Sequence, residues 1–512
     1  MIIVYHQNNK IVEVDFEGKN IPFSSKSIAS NLFQLAEEYP QELIVWCRLD
    51  VKTNMNKEKF QEIFHHKKIA ASYNLSTNPF LPETIGYVDE SPMLNVKEKV
   101  SYPTWRLSGD IGGIYSEVLN ALKNQVKKDS NFDYFLHSMA KLASLIGLLC
   151  YSEPLLVRDS SKKIETKKNN NFLIFRFVKH HYRARWTLLL FLDLLVYEKK
   201  IAILPFIFSL GFKTRFLNED LLDNIKVQST KRIIDKKTID VIIPTIGRKT
   251  YLYDVLEDLS KQSHLPENVI IVEQNPDANA ISELDFLTNE NWPFTIKHTF
   301  THQTGACNAR NLALAQVTSE WVFLNDDDNR FESDLIEKTF ENIRLYGCSV
   351  VLTFYPISGQ KLIEKKVCQA YIFGSGNSFF KATALETVKF NKSLEFGYGE
   401  DTEFGLQLRN AGFDVIYFPD LVINHLRAPM GGFRTKPILA WQDEIIQPKP
   451  SPTIMFFKLN NLTSQQLMGY KTVLFFKFYK VQQIKNPIKY FFNFQKQWKA
   501  SVFWAVKLKG NS

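Results

Sequence analysis

Three consecutive carboxylates, Asp326, Asp327 and Asp328, follow directly on the apolar run 321–324. Crowded acids that lose part of their hydration repel one another, so a cation is expected to hold them together. In an extended backbone Asp326 and Asp328 point to one side and Asp327 to the other. A hard ion, Mn²⁺ or Mg²⁺, could then be gripped with positions left open for phosphate oxygens. A local reading competes, because Asn-Asp-Asp-Asp-Asn is also the composition of a solvated turn before a helix capped by Ser333. The glycine and final glutamate of an EF-hand loop are absent.

A second acidic pair, Glu400 and Asp401, opens a helical pattern after Gly399. A carboxylate there can act as a general base, worth roughly 10²-fold to 10⁴-fold in rate, or simply complement the helix dipole. Arg310 suits either a phosphate or a structural acid. His425 reads as a ligand or as an ordinary half-buried histidine, and Gly374 and Gly376 as turn residues or as room for a substrate.

These groups need a scaffold. From residue 239 onward strands and helices alternate, which predicts a mainly parallel sheet flanked by helices, with ligands outside the carboxyl ends of its strands. Strand 239–243 stops at Pro244-Thr245, helix 251–261 follows, and strand 269–272 ends at Glu273. Helix 306–316 then carries Arg310, and strand 321–324 delivers the three acids.

Residues 1–229 show less chemistry. Asp133, a helix, Gly147 and Leu-Leu-Cys-Tyr-Ser-Glu-Pro echo Asp401, a helix, Gly412 and Phe-Asp-Val-Ile-Tyr-Phe-Pro. The echo predicts that this N-terminal α/β domain is a degenerate copy of the second. The stretch after strand 43–46, Cys47-Arg48-Leu49-Asp50, has a single acid. Lys162, Lys163, Lys167 and Lys168 mark an exposed loop. The apolar runs 186–197 and 201–212 fall short of the roughly 20 residues of a spanning helix; they read as core helices or as an interfacial hairpin. Residues 226–237 read as a linker, giving domains 1–229 and 238–444 and a helical extension 445–512.

At 512 residues two or more cores are expected. Five widely spaced cysteines without a CxxC pair argue for a reducing compartment, and the first residues lack the pattern of a secretory signal. The net charge of +9 resides in the tail: residues 445–512 hold eleven lysines and no Asp, Glu or Arg, leaving 52 basic against 54 acidic residues elsewhere. Lysines interleaved with aromatics suit an anionic membrane surface, or the rings pack the tail onto the protein. Nucleic acid is not expected, for arginine and a recognised fold are missing.

Taken in order, the motifs from 241 to 425 resemble the GT-A-fold glycosyltransferases of family 2. The resemblance implies a nucleoside site at Pro244 and Thr245 and a base-reading acid at Glu273. It implies a diphosphate site around Gly305 and Arg310, with Asp326 at the substrate and Asp326, Asp327, Asp328 and His425 around a Mn²⁺ or Mg²⁺ ion. Gly374, Gly376 and Asn377 match the glycine loop beside the acceptor, and Asp401 the general base, with Glu400 orienting the acceptor. Two departures stand out: Asn325 replaces the usual first acid, leaving the direct ligand open between Asp327 and Asp328, and Glu273 replaces the commoner aspartate. The implied activity is inverting transfer of a sugar from a nucleoside-diphosphate sugar to a cell-surface polysaccharide or glycolipid, at the cytoplasmic face of a membrane. A nucleotidyltransferase and a non-catalytic scaffold are the alternatives.

Overall fold

The computed structural model describes residues 1–24, 27–166, 170–357, 360–428 and 438–509; Lys167 and Lys168 of the expected loop lie outside them. The chain divides into two compact units, residues 1–231 with 462–477 and residues 232–461 with 478–512. The segment expected as one C-terminal extension is thus shared between the units.

In the first unit β1 (Ile2–Gln7), β2 (Lys10–Phe16), β3 (Lys19–Asn20), β4 (Leu43–Arg48), β5 (Ile69–Tyr73), β6 (Tyr102–Pro103), β7 (Ile111–Tyr115) and β8 (Leu149–Ser152) form one sheet. Its order is β3-β2-β1-β4-β7-β5-β8-β6. The β-branched and aromatic residues of β4 suit a strand covered on both faces, and Trp46 is fully buried. Across from it β7 carries Gly112 and Gly113, where a Cβ would run into the rings of Trp46 and Phe64. Helix Phe132–Ala143 starts from Asn131, whose side chain caps the Tyr134 amide.

The second unit contains β9 (Ile239–Thr245), β10 (Asn268–Gln274), β11 (Thr295–Thr301), β12 (Trp321–Asn325), β13 (Asn329–Arg330), β14 (Val350–Phe354), β15 (Cys368–Gln369), β16 (Asn377–Lys381), β17 (Val415–Val422) and β18 (Asn424–His425). The main sheet runs β11-β10-β9-β12-β16-β14-β17-β15, and β13 pairs separately with β18. The strands β11, β10, β9 and β12 are mutually parallel.

The two orders match position for position. In both, the central strand pairs with the first strand in parallel and with the next strand across the sheet antiparallel: β4 with β1 and β7, β12 with β9 and β16. The echo around Asp133 and Asp401 therefore reflects a shared topology. The difference is local. Where helix Lys249–Ser260 joins the parallel pair β9 and β10, the first unit has an antiparallel hairpin from β1 to β2, turned at Asn8 and Asn9 in the left-handed region. The last rungs of the central ladders pair Cys47 with Ile111 and Asn325 with Asn377. Arg48, Leu49 and Asp50 thus stand where Asp326, Asp327 and Asp328 stand.

The two apolar runs form helices Ala184–Tyr197 and Ile203–Leu210. They bury Leu190 and Leu194 but expose Leu204, Ile207 and Phe208. Among the described residues no helix is long and apolar enough to cross a membrane. Helix Pro487–Lys509 buries a stripe of Tyr490, Phe494, Trp498, Ser501 and Ala505 and exposes another of Ile488, Phe491, Phe492, Phe503 and Val506.

Candidate active site

β12 ends at Asn325, and Asp327 and Asp328 lie in the turn leading to β13. Strand alternation stops there, so the expected pairing of Asp326 with Asp328 on one side does not occur. Asp326 turns to one partner set, accepting hydrogen bonds from Arg310 Nη2 at 3.1 Å and from the Tyr355 hydroxyl at 3.2 Å. Asp327 and Asp328 turn to another. Arg248 Nη1 lies 2.5 Å from Asp327 Oδ1 and 3.0 Å from Asp328 Oδ2, and the Thr245 hydroxyl donates to Asp327 Oδ2 at 2.7 Å. The cation demanded by the acid cluster is, for two of the three carboxylates, a guanidinium from the loop after β9. Burial pushes Asp327 up to about 6 despite Arg248 and Thr245. For Asp328 burial acts the same way, but bonds from His425 and the Ala428 amide, with the Arg248 charge, outweigh it and hold the acid below the ordinary range.

The loop before β16 joins Asp326 to the second acidic pair. A Cβ on Gly376 would overlap the Asp326 carboxylate, so only glycine lets that side chain lie against the backbone. Its neighbour Ser375 hydrogen-bonds Asp401 through its hydroxyl. Asp401 is raised by burial, which outweighs the Arg310 charge and the Ser375 bond. Glu400 is raised to about 7 by burial and by the charge of Asp401. Arg310 is itself buried; that burial favours its neutral form, yet Asp326, Asp401 and Glu400 reverse the effect and keep it firmly charged. Its Nε is buried without a hydrogen-bond partner among the described residues. One guanidinium thus sits in the field of three acids from two distant parts of the sequence.

The resemblance implies an anion site at the start of helix Ala306–Leu314. The carboxylate found there belongs to the chain itself: Glu395 accepts from the amides of Cys307 and Asn308 at 3.0 and 2.8 Å. Gly305, at φ 141°, makes the approach possible, and its amide donates to Gln274 at 2.7 Å. Glu273 accepts from Ser282, from the Glu283 amide and from His298. Pro244 is half-buried beside Thr245 at the end of β9. Asn377 is 3 % exposed and donates its amide to the Thr353 carbonyl at 2.8 Å, so it ties β16 to β14. A Cβ on Gly374 would meet that same Asn377 side chain.

The ladder between β13 and β18 sets His425 opposite Asn329 and next to Asp328, with Nε2 3.5 Å from Asp328 Oδ1 and the Tyr355 ring stacked on the imidazole at 4.7 Å. Two ligands of one octahedral ion at about 2.1 Å lie roughly 3 Å apart, so this oxygen and nitrogen fit a divalent cation as two donors. No group of three His, Cys, Asp or Glu side chains gathers as a metal site among the described residues.

Arg248, Tyr355, Ser375 and Glu395 were not among the site residues read from sequence. For Arg248 a signal existed, because three acids require a cation; nothing in local spacing ties it to acids about eighty positions on.

Residues 240–398 match the family described as Glycosyl transferase family 2. A Bacillus subtilis protein provisionally named teichuronic acid biosynthesis glycosyltransferase TuaG is 28 % identical over 127 residues, 24 % of this chain and 49 % of that protein. An uncharacterised glycosyltransferase of Haemophilus influenzae is 28 % identical over 105 residues, 20 % of this chain and 34 % of that protein. The chain thus spans about half of one relative and a third of the other. Among solved structures, S. aureus TarS 1–349 in complex with UDP-GlcNAc is 16 % identical, with 46 % of this chain and 70 % of that one covered, at a TM-score of 0.34. The mannosyltransferase PcManGT of Pyrobaculum calidifontis, in complex with GDP-Man and Mn²⁺, is 14 % identical, with 56 % and 76 % covered, at 0.31. At these scores neither structure bears on substrate or mechanism. Motif order and the family match converge on one assignment: residues 240–398 of this chain are a family 2 glycosyltransferase domain.

Proposed function

We propose that the chain transfers a sugar from a nucleoside-diphosphate sugar to a hydroxyl of a cell-surface polysaccharide or glycolipid, with inversion at the anomeric carbon. The observation that carries this reading is the Ser375-Gly376 turn, which sets Asp401 and Asp326 around one buried arginine. An attacking hydroxyl must lose its proton, and Asp401, raised by burial yet next to Arg310, is suited to accept it. A single base on the acceptor side implies direct displacement and hence inversion. Arg310, kept charged by Asp326, Asp401 and Glu400, is the group suited to the leaving diphosphate. Glu400, near 7, orients the acceptor in this reading. Asp328 and His425 would hold Mn²⁺ or Mg²⁺, which would neutralise charge building on the departing diphosphate.

The exposed stripe of helix Pro487–Lys509, flanked by Lys489, Lys496, Lys499 and Lys507, supports a peripheral seat on an anionic membrane, at its cytoplasmic face. The test of the activity is incubation of the full chain with UDP- and GDP-sugars, with and without Mn²⁺. Release of nucleoside diphosphate supports sugar transfer. Release of sugar 1-phosphate, the group left when the nucleotidyl part is transferred instead, would indicate nucleotidyl transfer, and neither product would leave a scaffold.

A further inference from the structure

The first unit holds a cleft of about 870 Å³, within the range of small-ligand sites. It opens where the ends of β1 and β4 meet the starts of β7 and of helix Phe132–Ala143, the topological counterpart of the region around Asp326 and Asp401. The chemistry there has been rewritten. Arg48 occupies the position of Asp326 and binds Asp110 at 3.1 Å and Asp50 at 2.9 Å, so an internal guanidinium replaces the acidic loop. The hairpin from β1 to β2 replaces the strand-helix-strand segment.

We propose that this cleft is a non-catalytic binding site for an uncharged oligosaccharide. Its charge argues against phosphate or an acidic glycan, because among the described residues five carboxylates line it against three cations. Each of those cations already has protein partners. Arg48 is held as above, Arg106 donates to the carbonyls of Leu81 at 2.9 Å and Leu94 at 3.3 Å, and Lys163 pairs with Glu98 at 2.9 Å. The remaining lining is mainly amide and hydroxyl side chains, groups that match sugar hydroxyls in both donor and acceptor sense. Asp133, at the position of Asp401, accepts from the Gly109 amide at 2.8 Å and retains lone pairs for hydroxyl donors. Phe80, half-buried at the cleft and backed by His137 at 5.1 Å, supplies a ring face for the apolar side of a pyranose. His137 bonds the Asp133 carbonyl through Nδ1 and is kept neutral by burial, which leaves Nε2 as an acceptor.

The test uses the full chain with cellotetraose, maltotetraose, mannotetraose and chitotetraose as neutral probes, and UDP and tetragalacturonate as charged ones, read by saturation-transfer NMR and titration calorimetry. At least one neutral probe is expected to bind the parent chain and Asp401→Asn alike, and to bind Phe80→Ala and Asp133→Asn about tenfold more weakly or worse. Asp133→Asn conserves shape and carries the test if Phe80→Ala does not fold. Binding by no neutral probe, preference for tetragalacturonate or UDP, or binding unaltered in both cleft variants would overturn the proposal. Loss in Asp401→Asn alone would place the sugar in the second unit and overturn it equally. Since nucleotide-sugar turnover is read separately, failure of the transferase reading leaves this result interpretable.

Discussion

Replacing Arg248 by methionine tests how the acidic turn is held together. The Arg248 side chain is 11 % exposed, and the carboxylates it serves, Asp327 and Asp328, are 5 % and 2 % exposed. Methionine keeps much of the volume but leaves two buried acids without their shared cation. Breaking one partner from a buried ion pair costs about 3–5 kcal/mol. In a unit of this size each kcal/mol is worth about 2–4 °C, so the melting temperature of the second unit should fall by about 10 °C at pH 7.5 in EDTA. The pH dependence has a definite sign. Asp327 titrates near 6 in the folded chain, above its ordinary value. The stability associated with a raised carboxylate is fully present below its unfolded pKa and is lost as pH rises through the folded one. Without Arg248 that loss deepens, so the gap between variant and parent should narrow on going from pH 7.5 to pH 5. Adding Asp327→Asn to Arg248→Met should recover part of the loss, which calorimetry on the four chains of the cycle would measure. Equal losses at both pH values, or a shift under 2 °C at pH 7.5, would refute the account.

Asp401→Asn should lower kcat by about 10²-fold to 10⁴-fold without lowering the melting temperature, since it removes a buried charge; nucleoside diphosphate release measures the first, and parental rates would count against Asp401 as base. Glu400 is raised to about 7, so its stabilising contribution is complete below its unfolded pKa and gone above 7; Glu400→Gln should raise the melting temperature relative to the parent at pH 8 and not at pH 4. Gly376→Ala should push Asp326 away from Arg310 and depress kcat/KM at least about tenfold, a result that steady-state kinetics would contradict if the variant matched the parent. Phe491→Ser combined with Phe492→Ser should reduce sedimentation with phosphatidylserine vesicles while leaving the buried stripe of the last helix, and the melting temperature, intact.

The sequence by itself determined the elements of the second unit and the order of its motifs, because a buried strand, an amphipathic helix and an acid at a strand end each leave a local pattern. Strand Trp321–Asn325 and helix Ala306–Leu314 fall where period and composition put them. It also carried the faint echo between Asp133 and Asp401, which the shared strand order explains. Only the tertiary structure decided which cation each acid meets. Arg248 reaches Asp327 and Asp328 across a parallel strand pairing, and Glu395 closes on the amides of Cys307 and Asn308 from nearly ninety positions away. No spacing rule encodes such partners, since a side chain's charge is legible in sequence but its direction depends on where the strand stops and the turn begins. The rewritten cleft of the first unit was hidden for the same reason, its polar lining being gathered from loops that the sequence leaves far apart.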